Sequence, residues 1–462
     1  MDTSGIPHRP GRLPVLGDVL GSSPGTPLQD TVRLGKRLGP VFTRKFFGFE
    51  AVFVAGADLV TELNDEAKFG KHVGLGVEKL RALGGDGLFT AHTHEPNWRL
   101  AHDILQPAFS AEAMRRYHPV MLEVTRELVA AWDAASGPVD VSADMTRLTL
   151  ETIGRAGFGY RFGSFERAEP HPFVTAMIRA LRYAQLQNVK LPFVKRAIAG
   201  TRKQNQADIA LMTGLVDEVI ESRRQDGEAS RDLLGLMLTE GHPVTGERLD
   251  PVNIRNQAIT FVVAGHETTS GALSFALYYL TRHPELLAKA RAEVDAVWGD
   301  REPAFSDVAK LRYVRRVLDE ALRLWPTAPG YFREAREDVV LGGKYRMRKG
   351  DWVIVPLPLL HRDPAVWPDA EVFDPDRFEP AAVKKRPAQA YKPFGTGERA
   401  CIGRQFALHE AVLALGTVLQ RYDVEIDPGY ELKIVESLTL KPSGFMLRPR
   451  VRAAAGNVGA LG

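Results

Sequence analysis

Phe394-Gly-Thr-Gly397-Glu-Arg399-Ala-Cys401-Ile-Gly403 is the stretch on which the reading of this sequence turns. It follows Pro393 and runs into an amphipathic pattern that predicts a helix over Ile402–Arg421. Cys401, the one cysteine of the chain, therefore sits in a glycine-lined loop at a helix N-terminus. Backbone N–H groups and the helix dipole favour an anion there, which predicts a lowered thiol pKa. Glycines at 395, 397 and 403 remove side chains, so a flat bulky group can approach the backbone. A thiolate so placed suits either nucleophilic catalysis or ligation of a soft metal such as haem iron. The first needs a histidine base oriented by a third group. Twelve histidines are present, and no local signature picks one out. A free cysteine is also commonly a small buried hydrophobe; the pattern Phe-x-x-Gly-x-Arg-x-Cys-x-Gly argues against that bland reading.

Outward from the loop, the chain of 462 residues is 44% hydrophobic and 25% charged, ordinary for a globular protein and unlike a disordered or fibrous one. Sixty basic against 57 acidic residues leave a net charge of +3, which gives no electrostatic case for nucleic acid as a partner. A lone cysteine forms no internal disulfide and no multi-cysteine zinc site. The N-terminus MDTSGIPHRPGRLPVLGDVLG lacks the apolar run of a signal peptide. No stretch of about 18 apolar residues indicates a membrane span. A cytoplasmic protein is the expectation.

The fold class expected is mainly α with small β-sheets, in a single domain over 1–462. Residues 1–35 read as an irregular, Pro- and Gly-rich arm, and 452–462 as a tail or linker remnant. Val41–Ala55 reads as a hairpin around Gly48. Apolar residues at three- and four-residue steps predict helices over Ala111–Ala135, Met145–Gly157, Pro172–Leu186 and Gln204–Arg224. Asp226–Arg231 reads as a polar break. A long helix follows over Asn253–Thr281, ending before Pro284, and another over Lys310–Leu324, stopping at Pro326. Val339–Pro356 gives two strand-like runs split at Lys349-Gly350, and Glu431–Val451 is similar, with a turn at Pro442-Ser443-Gly444.

Three further features carry chemistry. In Ala264-Gly265-His266-Glu267-Thr268-Thr269 polar residues interrupt a long apolar helix. Gly265 weakens it, and Thr268 can back-bond to the carbonyl of residue 264. An acid and a hydroxyl beside such a turn suit proton relay; buried residues satisfied locally are the alternative. Glu320 and Arg323 stand at i, i+3, a spacing that in isolation reads as a weak surface ion pair. Trp98 and His102 are one turn apart, and Arg399 lies two residues before Cys401; all three side chains donate hydrogen bonds and suit carboxylates.

These features in this order resemble the cytochrome P-450 family of haem-thiolate enzymes. The loop Phe394–Gly403 fits the family's haem-binding signature, Glu320 and Arg323 its Glu-x-x-Arg pair, and Phe373-Asp-Pro-Asp-Arg377-Phe378 the segment whose Arg joins that pair. His94-Glu-Pro-Asn-Trp98, Ala264-Gly-His-Glu-Thr-Thr-Ser-Gly271 and Glu320-Ala-Leu-Arg-Leu-Trp-Pro-Thr-Ala-Pro329 are similar to the haem domain of bacterial self-sufficient fatty-acid hydroxylases, a likeness that runs from about Leu38 to Pro449. The resemblance implies the triangular helical P-450 fold, haem b (iron protoporphyrin IX) as cofactor and O2 as co-substrate. It implies Cys401 as the iron ligand, Phe394 beside the sulfur, and Lys71, Trp98, His102 and Arg399 on the propionates. Ala264 and Gly265 would line the haem, with Thr268 and Glu267 delivering protons. Glu320, Arg323 and Arg377 would be structural, and Phe89, Ala328, Pro329 and Tyr331 would lie near the distal pocket.

Two departures follow from that resemblance. Where the fatty-acid hydroxylases hold the substrate carboxylate with an Arg and a Tyr, this chain has Phe49 and Phe53. An apolar-basic run also marks Tyr183–Lys203, where family members differ most in substrate contacts. Together these favour an apolar or aromatic small molecule, as in hydroxylation or oxidative ring closure of a secondary metabolite, with long-chain fatty-acid hydroxylation as the alternative and a non-enzymatic haem sensor as a remote one. The chain beyond Cys401 is too short for a flavin reductase. Electrons would come from a separate ferredoxin- or flavodoxin-type donor and its reductase, or from a removed fused reductase.

Overall fold

The structure, a computed structural model, describes residues 1–20, 22, 23, 25–187, 192–226 and 231–452. Most of the polar break at 226–231, the part of the apolar-basic run at 188–191 and the tail from 453 onward lie outside the described residues.

The predicted helical periods fold as helices over Ala111–Asp133, Val141–Phe158, Pro172–Leu186, Pro251–Arg282, Arg312–Leu324 and Arg404–Arg421. The first four begin at a residue, Ser110, Asp140, His171 or Asp250, whose side chain accepts from one of the first N–H groups. The Asp250 carboxylate, for example, accepts from the N–H groups of Val252 and Asn253 at 2.8 and 2.9 Å, with Pro251 at the first helical position. Two expectations are corrected. The irregular arm ends at residue 26, because Pro27–Leu38 is a helix. Its start is capped from far away: the Glu436 carboxylate accepts from Leu28 N and Gln29 N at 2.6 and 2.9 Å. The helix expected from Gln204 begins at Pro192 and runs to Asp226.

The β pieces form a five-stranded sheet in the order β1-β2-β8-β5-β3, from Val41–Phe46, Phe49–Val54, Trp352–Pro356, Gly330–Ala335 and Phe69–Lys71. Only β2 and β8 run parallel in it. A three-stranded sheet joins β4 (Val139–Asp140), β12 (Met446–Val451) and β9 (Tyr422–Ile426). Hairpins join β6 (Val339–Leu341) to β7 (Tyr345–Met347) and β10 (Lys433–Glu436) to β11 (Leu440–Ser443). Val339–Pro356 thus holds three strands rather than two, since Gly342 and Gly343, at φ +57° and +64°, turn the first run back on itself.

Alternation along the five-stranded sheet gives it two unlike faces. Val41, Val52, Val54, Phe69, Ala335, Val353 and Val355 pack one face into a buried core. The other face carries Phe49, Phe332 and Trp352, all half-buried. The larger core surrounds the central helix Pro251–Arg282, which is buried along most of its length against Val141–Phe158, Arg312–Leu324 and Arg404–Arg421.

Candidate active site

The Cys401 loop is a tight turn closed by its own backbone, with Cys401 N donating to Phe394 O at 2.8 Å. Gly395 and Gly397 take φ of +70° and +67°, a region in which side chains are strained. Gly397 has a second reason: a Cβ there would stand 2.0 Å from Glu66 Oε1. That carboxylate accepts from Glu398 N at 2.9 Å and braces the loop from below. The bare face of Gly397 therefore meets Glu66, while Gly403 is the glycine that faces Phe109 and the sulfur.

Cys401 faces a cavity of about 680 Å³ that His102, Pro107, Phe109, Ala400 and Ile402 also line. The expected lowering of the thiol pKa is overturned. Burial within the protein pushes the thiol up, against the weaker pull of the Gly403 N–H and the Arg404 guanidinium. Desolvation outweighs a helix end here because a thiolate surrounded by protein loses more hydration than a few dipoles return. Such a thiol is a poor free nucleophile at neutral pH, whereas binding to a metal deprotonates a thiol outright.

Beside the loop, the segment Leu88–Ala91 ties it to the central helix. Leu88 N donates to Gln257 Oε1 at 2.9 Å, and Arg399 Nη2 donates to Leu88 O and Ala91 O at 3.3 and 2.8 Å. The Arg399 guanidinium lies 4.4 Å from the centre of the buried Trp98 ring, and its Nη1 is buried without a partner. Lys71 Nζ donates to Phe89 O at 2.6 Å. Burial, with Arg399 near, pushes the Lys71 ammonium well below its usual value, and burial pushes Arg399 down to about 10. Two crowded cations, one with an orphaned nitrogen, require an anionic guest. A porphyrin carrying carboxylates and held by the Cys401 sulfur fits that donor set. His102 stacks on Trp98 at 5.2 Å, but its Nδ1 is 2.9 Å from Asp103 Oδ1. Phe394 is half-buried beneath the Arg404 guanidinium, 5.6 Å from it.

The central helix presents Ala264 and Thr268 on one open face, and Thr268 Oγ1 donates to Ala264 O at 2.9 Å. Gly265 packs Ile153 of Val141–Phe158, so its missing side chain serves helix packing. Glu267 lies about 100° around the helix from Thr268. It is buried against β11, with Thr439 Oγ1 and Lys441 Nζ at 2.9 and 3.4 Å from its carboxylate. Thr439 and Lys441 carry no sequence signal; the pairing joins residues far apart in the chain.

Of the residues expected at the distal side, Phe89 is 41% exposed although large and aromatic, and Ala328 is exposed with Pro329 half-buried. Tyr331 is corrected: its hydroxyl donates to Asn64 Oδ1 at 3.1 Å and its ring packs on the buried sheet core. Strand alternation gives the opposite face to Phe332, which sequence reading missed. There Phe49 stacks on Trp352 at 6.0 Å, His72 stacks on Trp352 at 4.8 Å, and Phe332 meets Trp352 at 5.9 Å. Phe53 stacks instead on Phe42, at 5.2 Å.

The Glu320–Arg323 pair is wholly buried rather than on the surface. Arg323 donates to the Glu320 carboxylate at 2.6 and 2.7 Å and to the carbonyls of His361, Ala370 and Val372 at 3.0, 2.7 and 3.1 Å. Arg377 Nε stands 3.6 Å from Glu320 Oε1.

A fold of this kind, with one cysteine sulfur facing a cavity and the half-buried cations Lys71 and Arg399 near the Cys401 loop, suits a haem held through that sulfur. The sequence profile of the Cytochrome P450 family matches residues 7–450, and the chain belongs to that family. Membership of that family implies haem b as its cofactor and O2 as its co-substrate. It is 50% identical over 433 residues to bifunctional cytochrome P450/NADPH–P450 reductase 2 of Bacillus subtilis, covering 92% of this chain and 41% of that protein. It is 48% identical to the bifunctional enzyme of Bacillus cereus over 91% of this chain and 40% of the other. A self-sufficient cytochrome P450 monooxygenase of Phanerodontia chrysosporium is 40% identical over 96% of this chain and 42% of its own length. The chain thus spans about two fifths of the length of these relatives.

When bound, the haem supplies oxygen activation. The residues present would hold it through Cys401, Arg399, Trp98 and Lys71. Arg399→Met is expected to weaken haem retention about 10- to 100-fold, the worth of one charge-assisted hydrogen bond of roughly 1.5–3 kcal/mol. Transfer of haem to apomyoglobin measures it; an unchanged transfer rate removes Arg399 from the propionate site.

Proposed function

We propose that this chain is a single haem domain, residues 1–462, of a monooxygenase that hydroxylates long-chain fatty acids. Its electrons come from an NADPH-dependent flavin reductase, fused as in the bacterial and fungal relatives or supplied separately. The observation that carries the reading is the extent of the likeness: nearly the whole chain aligns, at close to half identity, with proteins that join this domain to a reductase. That likeness favours the fatty-acid reading over the secondary-metabolite reading drawn from Phe49 and Phe53. Among the described residues no helix is long and apolar enough to cross a membrane, and residence in the cytoplasm belongs to the same proposal.

One observation favours the second reading. Phe49, which the resemblance aligns with a carboxylate-binding residue of the fatty-acid hydroxylases, belongs to a row of rings with Trp352, His72 and Phe332 on one sheet face. Such a surface favours a flat or neutral group over an anion. Optical titration separates the two. A low-to-high spin shift with a palmitate-like acid at micromolar concentration is expected, and Phe49→Arg is expected to tighten it about 10-fold by adding a charge-assisted contact of roughly 1.5 kcal/mol. A shift with indole-containing compounds and none with fatty acids overturns the fatty-acid reading.

A further inference from the structure

Glu267 belongs to the helix that faces the oxygen-binding side, yet its carboxylate is anchored elsewhere. Thr439 Oγ1 donates to Oε2 at 2.9 Å, and Lys441 Nζ reaches Oε1 at 3.4 Å. The two anchors flank Leu440, the first residue of β11, whose N–H donates to Thr327 O at 3.1 Å. Lys441 Nζ also donates to Thr146 Oγ1 of Val141–Phe158 at 3.1 Å. That side chain is 17% exposed, against 12% for Glu267. The ammonium therefore lies between the protein's edge and a buried acid.

The groups that face Glu267 are few. From its own helix comes His266, whose Nε2 is 3.8 Å from Oε1. Its Nδ1 donates to Val262 O at 2.7 Å, and burial pushes it down to about 4, so it is neutral at physiological pH. From β11 and the residue before it come Lys441 and Thr439, and the Thr146 hydroxyl of Val141–Phe158 meets Lys441 rather than the acid. Burial pushes the Glu267 carboxyl up. The Lys441 ammonium, first, and the Thr439 hydroxyl outweigh that and keep it below the ordinary carboxylate range. A carboxylate so held is ionised at neutral pH and contributes stability that is lost only as pH falls through its folded value.

We propose that Lys441 is a positioning residue for the proton supply of the reaction: with Thr439 it docks the Glu267 carboxylate beside β11, ionised and turned away from Thr268. Proton delivery then requires the Glu267 carboxylate to leave that dock, take up a proton from solvent and pass it on at the Thr268 face. The inference builds on the monooxygenase reading and adds to it a residue outside the haem site.

The test is Lys441→Met in the haem-loaded protein, beside Lys441→Arg. Without the ammonium, burial meets less opposition and is expected to raise the Glu267 pKa, favouring the protonated acid. Infrared difference spectra at pH 7 are expected to gain a protonated-carboxyl band in Lys441→Met, absent from wild type, from Lys441→Arg and from Lys441→Met combined with Glu267→Gln. The share of electrons lost to peroxide is expected to change several-fold and to shift its pH profile, with arginine restoring both. A correctly folded Lys441→Met with no new band and an unshifted profile overturns the proposal. Should the methionine variant fail to fold, Thr439→Val removes the other anchor: a new band and a shifted profile support the dock, and neither overturns it. Wild type without any electron-supported turnover would instead count against the monooxygenase reading, leaving the infrared band to judge the dock.

Discussion

Serine in place of Cys401 is expected to abolish oxygenation and to erase the thiolate character of the ferrous carbonyl spectrum. Serine preserves the loop, because the backbone bond from Cys401 N to Phe394 O and the φ of Gly395 and Gly397 do not depend on the side chain. What changes is the atom aimed into the cavity. A sulfur with a raised thiol pKa becomes an anion when metal binding supplies the compensation. A serine hydroxyl is far less acidic and a harder donor, so the same compensation does not produce the same ligand. Reduced, carbon monoxide-treated protein read by absorption spectroscopy decides the matter. Retention of the thiolate-type band by Cys401→Ser, with turnover unimpaired, sinks the assignment of the ligand and with it the chemistry built on the cavity.

Glu320→Ala is expected to cost about 3–5 kcal/mol of folding stability, the usual penalty for stranding one partner of a buried ion pair. Against a total of roughly 5–15 kcal/mol for a typical native protein, that removes most of the reserve. Arg323 would be left with a full charge at zero exposure, its remaining partners being the carbonyls of His361, Ala370 and Val372. Arg377 and Asp374 N, which also address Glu320, lose their anchor at the same time. The double change Glu320→Met with Arg323→Met is expected to be less harmful than Glu320→Ala alone, since it removes both charges rather than one. Urea unfolding of the three proteins measures this. A single variant as stable as wild type shows that the pair is not what holds the segment from His361 to Arg377 in place.

How much of this was legible beforehand depends on how local the cause is. Pro251–Arg282 could be read within two residues of either end because Asp250, Pro251 and Pro284 are neighbours of the helix they bound. The Pro27–Leu38 helix was missed because its first N–H groups are capped by Glu436, from the far end of the chain. Tyr331 and Phe332 exchanged roles because one residue of strand register decides which face a side chain takes, and register follows from pairing with β8. Thr268 kept the back-bond to Ala264 that its spacing suggested, whereas Glu267, its neighbour, is governed by Lys441 and Thr439.

By itself the sequence determined the family and singled out Cys401 as the candidate iron ligand, because a glycine-strained loop around one cysteine admits few substitutes. Only the tertiary structure decided the sign of the thiol's pKa shift, the burial of Glu320 and Arg323, and the dock that holds Glu267. Desolvation and ion pairing depend on what surrounds a charge, and the surroundings are assembled from segments distant in the chain.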